Sequence, residues 1–304
     1  MGTRWKDLVR RLYYLRKYPG NVLAELQAIR RFAERSAVIA RERYVDEALK
    51  GARFGDPLRL ERFGFKTYSQ YDDDGIIEEI FRRIGTTEKT FVEFGAETGI
   101  ENNTVKLLLE GWKGLWIEAD PKHVAAIRRS FSDVVQSGRL TVQEALITAE
   151  NVDSVIGQWG SGEIDLLSID VDGNDYYLWE ALSVVRPRVV VIEYDAKFRP
   201  PLSIAPEYKA DRVWAGTGYM GSSLEALTRL GKRHGYALVG CNFPGVNAFF
   251  VRAELAVGKF QAPFSAENHY HPPRHHFLWL LYSVGPPPQW GRYVEIPDID
   301  QAHS

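Results

Sequence analysis

From residue 90 onward, short apolar runs alternate with stretches of helical spacing. Strands are expected at 90–94, 115–118, 139–143, 164–169 and 188–194, with helices at 102–110, 121–131, 150–158 and 175–184 between them. Val189 to Ile192 is continuously apolar, as suits a parallel strand covered on both faces. Strictly alternating strands and helices imply a parallel sheet with helices on both sides. The pattern changes at residue 195. Residues 195–222 are rich in proline, glycine and aromatics and show no period, and a helix follows over 223–234. Tyr236–Gly240 and Asn247–Arg252 then read as strands separated by a short turn containing Phe243, Pro244 and Gly245. A turn that short allows only an antiparallel pair. The expected fold is therefore α/β, a Rossmann-like parallel sheet ending in an antiparallel hairpin.

Three further patterns precede the alternating region. Trp5, Leu8, Val9, Leu12 and Leu15 have helical spacing among Arg10, Arg11, Arg16 and Lys17, and Pro19-Gly20 ends that segment. A second helix is expected from about Asn21 to Lys50, with Leu23, Leu26, Ile29 and Phe32 on one face. Tyr68 to Gly75 leads into an apolar helix over Ile76–Ile84, where Ser69 or an aspartate can cap. The expected organisation is an N-terminal helical region over 1–66, an α/β domain over 67–252 and a C-terminal extension over 253–304.

Charge sharpens this division. Residues 1–50 carry 12 Lys/Arg and 6 Asp/Glu, whereas the whole chain of 304 residues has a net charge of −2. A basic amphipathic helix can lie on an anionic membrane, but packing on the domain or on a second subunit is the simpler expectation. The overall balance provides no global basic field for nucleic acid. The single cysteine, Cys241, excludes an internal disulfide framework and a Cys-rich zinc site, and fits a reducing, cytoplasmic setting. No apolar run reaches the roughly 20 residues that span a bilayer, and no signal peptide is expected.

The chemistry concentrates in Thr90 to Pro121, which reads as strand, glycine turn, helix, strand and acid. Gly95 and Gly99 lie in the turn, and Glu118 stands at the end of the second strand. Such a βαβ unit holds a nucleoside, with backbone close to the ligand and a carboxylate for ribose hydroxyls. A dinucleotide site wants G-x-G-x-x-G. Here the middle glycine is missing, and Glu97 and Glu101 put negative charge where phosphates would lie. That turn suits a cationic ligand, as in the S-adenosylmethionine (SAM) site of class I methyltransferases, which it resembles.

Acids also end the fourth and fifth strands. Asp170-Val171-Asp172-Gly173-Asn174-Asp175 follows one, and Glu193-Tyr194-Asp195 the other. Ligands of open α/β sheets bind at the carboxyl ends of strands. Two neighbouring carboxylates share a proton, raise one pKa or bind a cation. A calcium loop is ruled out, because Asp175 stands where the sixth position needs glycine and Ala181 where the twelfth needs glutamate. A haloacid-dehalogenase-like phosphatase would use Asp170 as nucleophile and Asp172 as acid, but normally carries that pair on its first strand. A plain reading of Asp172 and Asp175 is solvated loop charge.

Five segments together carry a resemblance. Ser69–Phe81, Phe91–Thr104, Ile117–Pro121, Ile169–Tyr177 and Val189–Tyr194 resemble, in order, the motifs of an FkbM-type SAM-dependent methyltransferase. The match covers about residues 67–252. It implies a class I methyltransferase sheet, SAM as cofactor, and O-methylation of a sugar, glycan or related hydroxylated natural product. It also implies roles: Gly95, Ala96 and Gly99 form the turn against SAM, and Glu93 lies under the methionine portion. Glu118 binds the ribose, Glu144 and Ala145 meet adenine, and Gln70 and Asp74 close over the methionine end. Asn103, Ala119 and Asp170 complete the cofactor-binding set. The family often has D-x-E-G-x-E where this chain has Asp170, Asp172 and Asp175 on shorter arms.

Methyl transfer to a hydroxyl needs a base or a cation. Asp170, Asp172 and Glu193 are the catalytic candidates, and Asp170, Glu193 and Asp195 the candidate ligands for Mg²⁺. His269, His271, His275 and His276 are expected either as exposed loop histidines or as a flap supplying a general base. His234 is expected to complement a helix dipole. Tyr194, Phe198, Tyr208, Trp214 and Tyr219 are expected to line the acceptor site. An NAD-dependent Rossmann oxidoreductase and a non-catalytic SAM-fold module are the other readings.

Overall fold

The computed structural model describes residues 13, 19–274 and 286–298. Apart from Tyr13, the basic segment Trp5–Lys17 lies outside the described residues, as do His275 and His276. The chain divides into two compact units, up to Gly51 and from Ala52. Residues 52–66, grouped above with the N-terminal helices, thus belong to the larger unit. The smaller unit contains one long helix, Pro19–Ala48. Its Leu23, Leu26, Ile29 and Phe32 are all exposed. No described helix is long and apolar enough to cross a membrane.

Among the described residues the larger unit contains nine strands: β1 Thr90–Phe94, β2 Lys113–Glu118, β3 Leu140–Glu144, β4 Gly162–Ile169, β5 Val185–Glu193, β6 Ile204–Pro206, β7 Tyr236–Cys241, β8 Asn247–Arg252 and β9 Tyr293–Glu295. Seven form one sheet in the order β3-β2-β1-β4-β5-β8-β7. The first five are mutually parallel, and β8 is antiparallel to both β5 and β7. A dinucleotide fold would continue after β5 with another parallel strand. This order, with its late antiparallel hairpin, is that of the Rossmann-like class I methyltransferase sheet, and an N-terminal helix accompanies it.

Alternating side chains send each strand's residues to two cores, one on each face of the sheet. Val92, Phe94, Leu167, Val190 and Ile192 pack on one side with Trp179 and Leu227. Phe91, Leu166, Val189 and Val191 pack on the other with Ile76, Ile77 and Ile80. Leu60 and Phe260 join that second core. The segments on either side of the α/β domain are therefore part of its packing.

Three local results differ from the sequence pattern. The helix expected at 102–110 is only Val105–Leu109, because Asn103 N and Thr104 Oγ1 donate to the Glu93 carboxylate and are turned toward β1. The helix before β1 starts at Asp73 rather than Ile76, with Ser69 Oγ accepting from Asp74 N at 3.2 Å. The aperiodic segment 195–222 contains β6, which pairs antiparallel with β9 and ties the C-terminal extension to it.

One buried acid supports the opposite, amino-terminal edge of the sheet. Asp165 is fully buried on β4 and accepts from Thr87 N at 2.8 Å and Thr90 N at 3.3 Å. It also lies 3.4 Å from Arg188 Nε on β5, an ion pair without hydrogen-bond alignment.

Candidate functional site

The carboxyl ends of β1, β2, β4 and β5 bring most of the expected residues together. Gly95 follows β1 with φ of 71°, and its N–H donates to Ile117 O at 3.1 Å. A Cβ on Gly95 would stand 1.8 Å from Asp170 O, so the turn lies directly on the end of β4. Gly99, at φ of 81°, leaves no room for a Cβ beside Trp116 and Phe131. Both glycines are thus required by backbone conformation and by close approach. Ala96 is fully buried between them.

Glu118 closes the turn from β2. Its Oε2 accepts from Glu97 N at 2.7 Å and its Oε1 from Asp120 N at 2.8 Å. Each carboxylate oxygen has a second lone pair, so the anchored group can still accept from two hydroxyls. Ala119 is exposed beside it. Glu144, at the tip of β3, is exposed, and Ala145 N donates to Glu118 O at 3.0 Å, placing both next to that acid. Glu93 is buried under the turn, and burial raises its pKa despite the bonds from Thr104 and Asn103. Asn103 also donates from Nδ2 to Ser168 Oγ at 3.1 Å, joining β1 to β4.

Asp170, Asp172 and Glu193 converge. Each offers a carboxylate oxygen, and the three atoms lie within 4.8 Å of one another. Asp172 holds φ of 56° and is followed by Gly173 at 132°. Asp175 fixes that loop, accepting from Val171 N and Gly173 N, both at 2.8 Å. It is therefore a structural acid rather than solvated charge. Burial first, and then the charges of Asp172 and Asp175, push Asp170 well above the usual carboxylate range. Burial and then Asp170 do the same to Glu193, and burial and then Asp175 push Asp172 up to about 7. Two full charges about 5 Å apart repel by about 3 kcal/mol at an effective dielectric near 20.

Other expected residues take different places. Asp195 forms an ion pair with Lys197 Nζ at 2.5 Å and stands outside the convergent group. Asp74 Oδ2 accepts from Thr67 N, Tyr68 N and Ser69 N at 2.7, 2.7 and 2.9 Å, which folds the loop before its helix, while its Oδ1 is buried without a hydrogen-bond partner. Gln70 is half-buried in that loop, and its carbonyl accepts from Lys66 Nζ at 3.1 Å. Tyr71 was not singled out from the sequence. It is buried, and its hydroxyl pKa is raised by burial and by the charges of Glu193, Asp73 and Asp170. Tyr71 thus sits at the acidic cluster. Its position directly after Gln70 is the only sequence signal for it.

For His269 and His271 the expectation is corrected. His269 and His271 are both buried, neither exposed nor part of a flap. His271 Nε2 lies 3.0 Å from Glu61 Oε1, and His269 Nε2 lies 3.1 Å from Gln261 O. His234 stacks on Trp179, and burial and then Arg233 lower its pKa, so it is a poor cation for a helix dipole. Burial pulls His269 down to about 4. The unfolded chain takes up this proton near pH 6.5, whereas the folded chain resists until about 4. Stability from His269 is therefore complete above pH 6.5 and is lost as pH falls through this window. Urea unfolding should show about 2 kcal/mol lost to this group between pH 7.5 and 5, and His269→Gln should remove that part of the slope.

The aromatic segment divides as well. Tyr194 is core, its hydroxyl donating to His271 O at 3.0 Å, so it does not line an acceptor site. Tyr208 packs on Tyr177 and donates to Glu150 Oε2. Phe198 and Tyr219 both meet the ring of Tyr293 from the C-terminal extension. Trp214 is exposed.

No protein-family model and no curated protein matches this chain. Solved structures similar to it include an O-methyltransferase from Bacillus cereus in complex with SAH, at 18% identity over 53% of this chain and 67% of that one, with a TM-score of 0.33. The N-terminal domain of EvdMO1 with SAH bound is 13% identical over 69% of this chain and 94% of that one, with a TM-score of 0.40. The glycopeptide N-methyltransferase MtfA complexed with SAH is 14% identical over 64% and 95%, with a TM-score of 0.37. At these scores the likeness carries no argument about this chain, whose fold rests on its own strand order.

Proposed function

We propose that this protein is a SAM-dependent O-methyltransferase acting on a hydroxyl of a sugar, glycan or related hydroxylated compound. The observation that carries the reading is Glu118, held by Glu97 N and Asp120 N at the tip of β2 and facing the Gly95–Gly99 turn. Its remaining lone pairs suit the two ribose hydroxyls of a nucleoside. The turn lets backbone approach that ligand, and the acids around it disfavour a pyrophosphate while attracting a positive charge. SAM supplies an electrophilic methyl group on a sulfonium, a cation that fits this setting.

The chain's own residues then orient the acceptor. Asp170, Asp172 and Glu193 stand at the end of β4 and β5, with the Asp170 backbone against the turn. A carboxylate there accepts the hydrogen bond of an acceptor hydroxyl, sets its oxygen in line with the methyl group, and takes up its proton as transfer proceeds. The rings of Phe198 and Tyr219, both packed edge-on to Tyr293 in the segment after β5 and the C-terminal extension, are the aromatic surface this reading assigns to a sugar. FkbM-type membership, a carbohydrate acceptor and a cytoplasmic setting belong to this proposal.

Calorimetry with SAM tests it. The wild-type protein is expected to bind one SAM per chain. Glu118→Ala should weaken binding by about 100-fold or more, the worth of two charge-assisted hydrogen bonds, and Glu118→Gln by less. Absence of SAM binding by wild type, or equal affinity in Glu118→Ala, would overturn the reading.

A further inference from the structure

We propose that Asp170, Asp172 and Glu193 form a binding site for one divalent, oxygen-seeking cation, Mg²⁺ or Ca²⁺. Three carboxylates from the ends of two adjacent strands offer oxygens within 4.8 Å of one another. Oxygens bound to a common ion stand apart by at most twice the bond length, which is about 4.2 Å for Mg²⁺ and about 5 Å for Ca²⁺. A spread within 4.8 Å lets the three side chains close around either ion with small rotations.

A second observation is independent of the clustering. Glu193 is 8% exposed, and its Oε2 is buried without a hydrogen-bond partner. A buried carboxylate oxygen that meets no donor is costly unless a ligand completes it. The nearby cations are engaged elsewhere. Lys197 pairs with Asp195, and Arg212 donates to Glu207 O and lies over the Tyr219 ring. Among the described residues no Lys or Arg forms an ion pair with Asp170, Asp172 or Glu193.

The loop is also built to present these groups. Asp172 adopts a left-handed φ of 56°, a conformation that costs a non-glycine residue about 1 kcal/mol or more. Asp175 holds it there by accepting from the N–H groups on both sides. The strain positions a third carboxylate against two others, an arrangement that a positive charge would stabilise. This set differs from the one expected from the sequence, with Asp172 in place of Asp195. The role of the ion in catalysis rests on the proposed methyltransferase reading: a cation here lowers the pKa of an acceptor hydroxyl presented beside it. Its binding does not depend on that reading.

The test uses EDTA-treated, buffer-exchanged protein titrated with MgCl₂ and, separately, CaCl₂, by calorimetry and by thermal melting. One ion per chain is expected, with a rise in Tm. Glu193→Gln and Asp172→Asn should each lose about tenfold or more in affinity. In EDTA, Glu193→Gln should melt above wild type, since a like charge has been removed, which also shows that the variant is folded. No saturable binding in the millimolar range, or equal affinity in wild type and Glu193→Gln, overturns the site. SAM calorimetry in EDTA separates the two proposals. SAM binding with no ion binding removes the cation site and leaves the cofactor reading. Ion binding with no SAM binding does the reverse.

Discussion

Gly95→Ala is expected to lower stability by about 3–5 kcal/mol and to abolish cofactor binding together. Alanine at φ of 71° carries left-handed strain of about 1–2 kcal/mol. The larger cost comes from its Cβ, which would stand 1.8 Å from Asp170 O. That neighbour is backbone at the end of a central strand and cannot rotate away. Relief requires the turn to lift from β4, with overpacking worth about 1–3 kcal/mol and loss of the Gly95 N bond to Ile117 O. The same movement separates the Glu118 side of the site from the Asp170 side. Gly111→Ala is the control: φ there is 85°, yet nothing lies within 4 Å of a Cβ. It should lose only the conformational part and bind SAM as wild type does. Urea unfolding and calorimetry on both variants check this.

Asp165→Ala is expected to destabilise the protein by about 3–5 kcal/mol and to leave SAM affinity unchanged. Removing one partner of a buried ion pair leaves the other charge uncompensated, and the N–H groups of Thr87 and Thr90 lose their acceptor. Arg188 keeps its bonds to Ile84 O and Gly85 O, at 2.9 and 3.2 Å, but its remaining carboxylate is Glu163, at 3.8 Å. The damage falls at the start of β4, whereas the site lies at its other end, past Ile169. Urea unfolding should register the loss, and calorimetry below the unfolding transition should not. A parallel fall in SAM affinity would show that the two ends of the strand are coupled.

The strand order was legible because the signals behind it are local. Continuous apolar runs such as Val189–Ile192 mark buried parallel strands, and the short Phe243–Gly245 turn permits only a hairpin. The glycine turn and Glu118 were legible for the same reason, since a βαβ unit fixes its own geometry. What escaped depended on contacts between distant segments. Nothing near His271 in sequence points to Glu61, yet that pairing makes it a core residue. Asp195 and Asp172 are both acids just past a strand, and nothing local shows that one pairs with Lys197 while the other converges with Asp170 and Glu193. Asp74 reads like any first-turn acid until the loop before it folds onto its carboxylate. Residues 102–104 have helical spacing, but the buried Glu93 takes their donors and delays the helix.

The position of β5 has a consequence for how the chain folds. β5 lies inside the sheet only because β8 pairs along its far side, Val189 against Val251 and Glu193 against Asn247. During synthesis β5 leaves the ribosome well before that partner does. Until residues 247–252 emerge, Val189 to Ile192 is an exposed, uncharged strand edge of the kind that recruits other chains. The last hairpin thus acts as a closing seal on a sheet that is otherwise complete. A chain cut before Asn247 would retain the turn, Glu118 and the three convergent acids, yet would expose an adhesive edge and aggregate rather than bind.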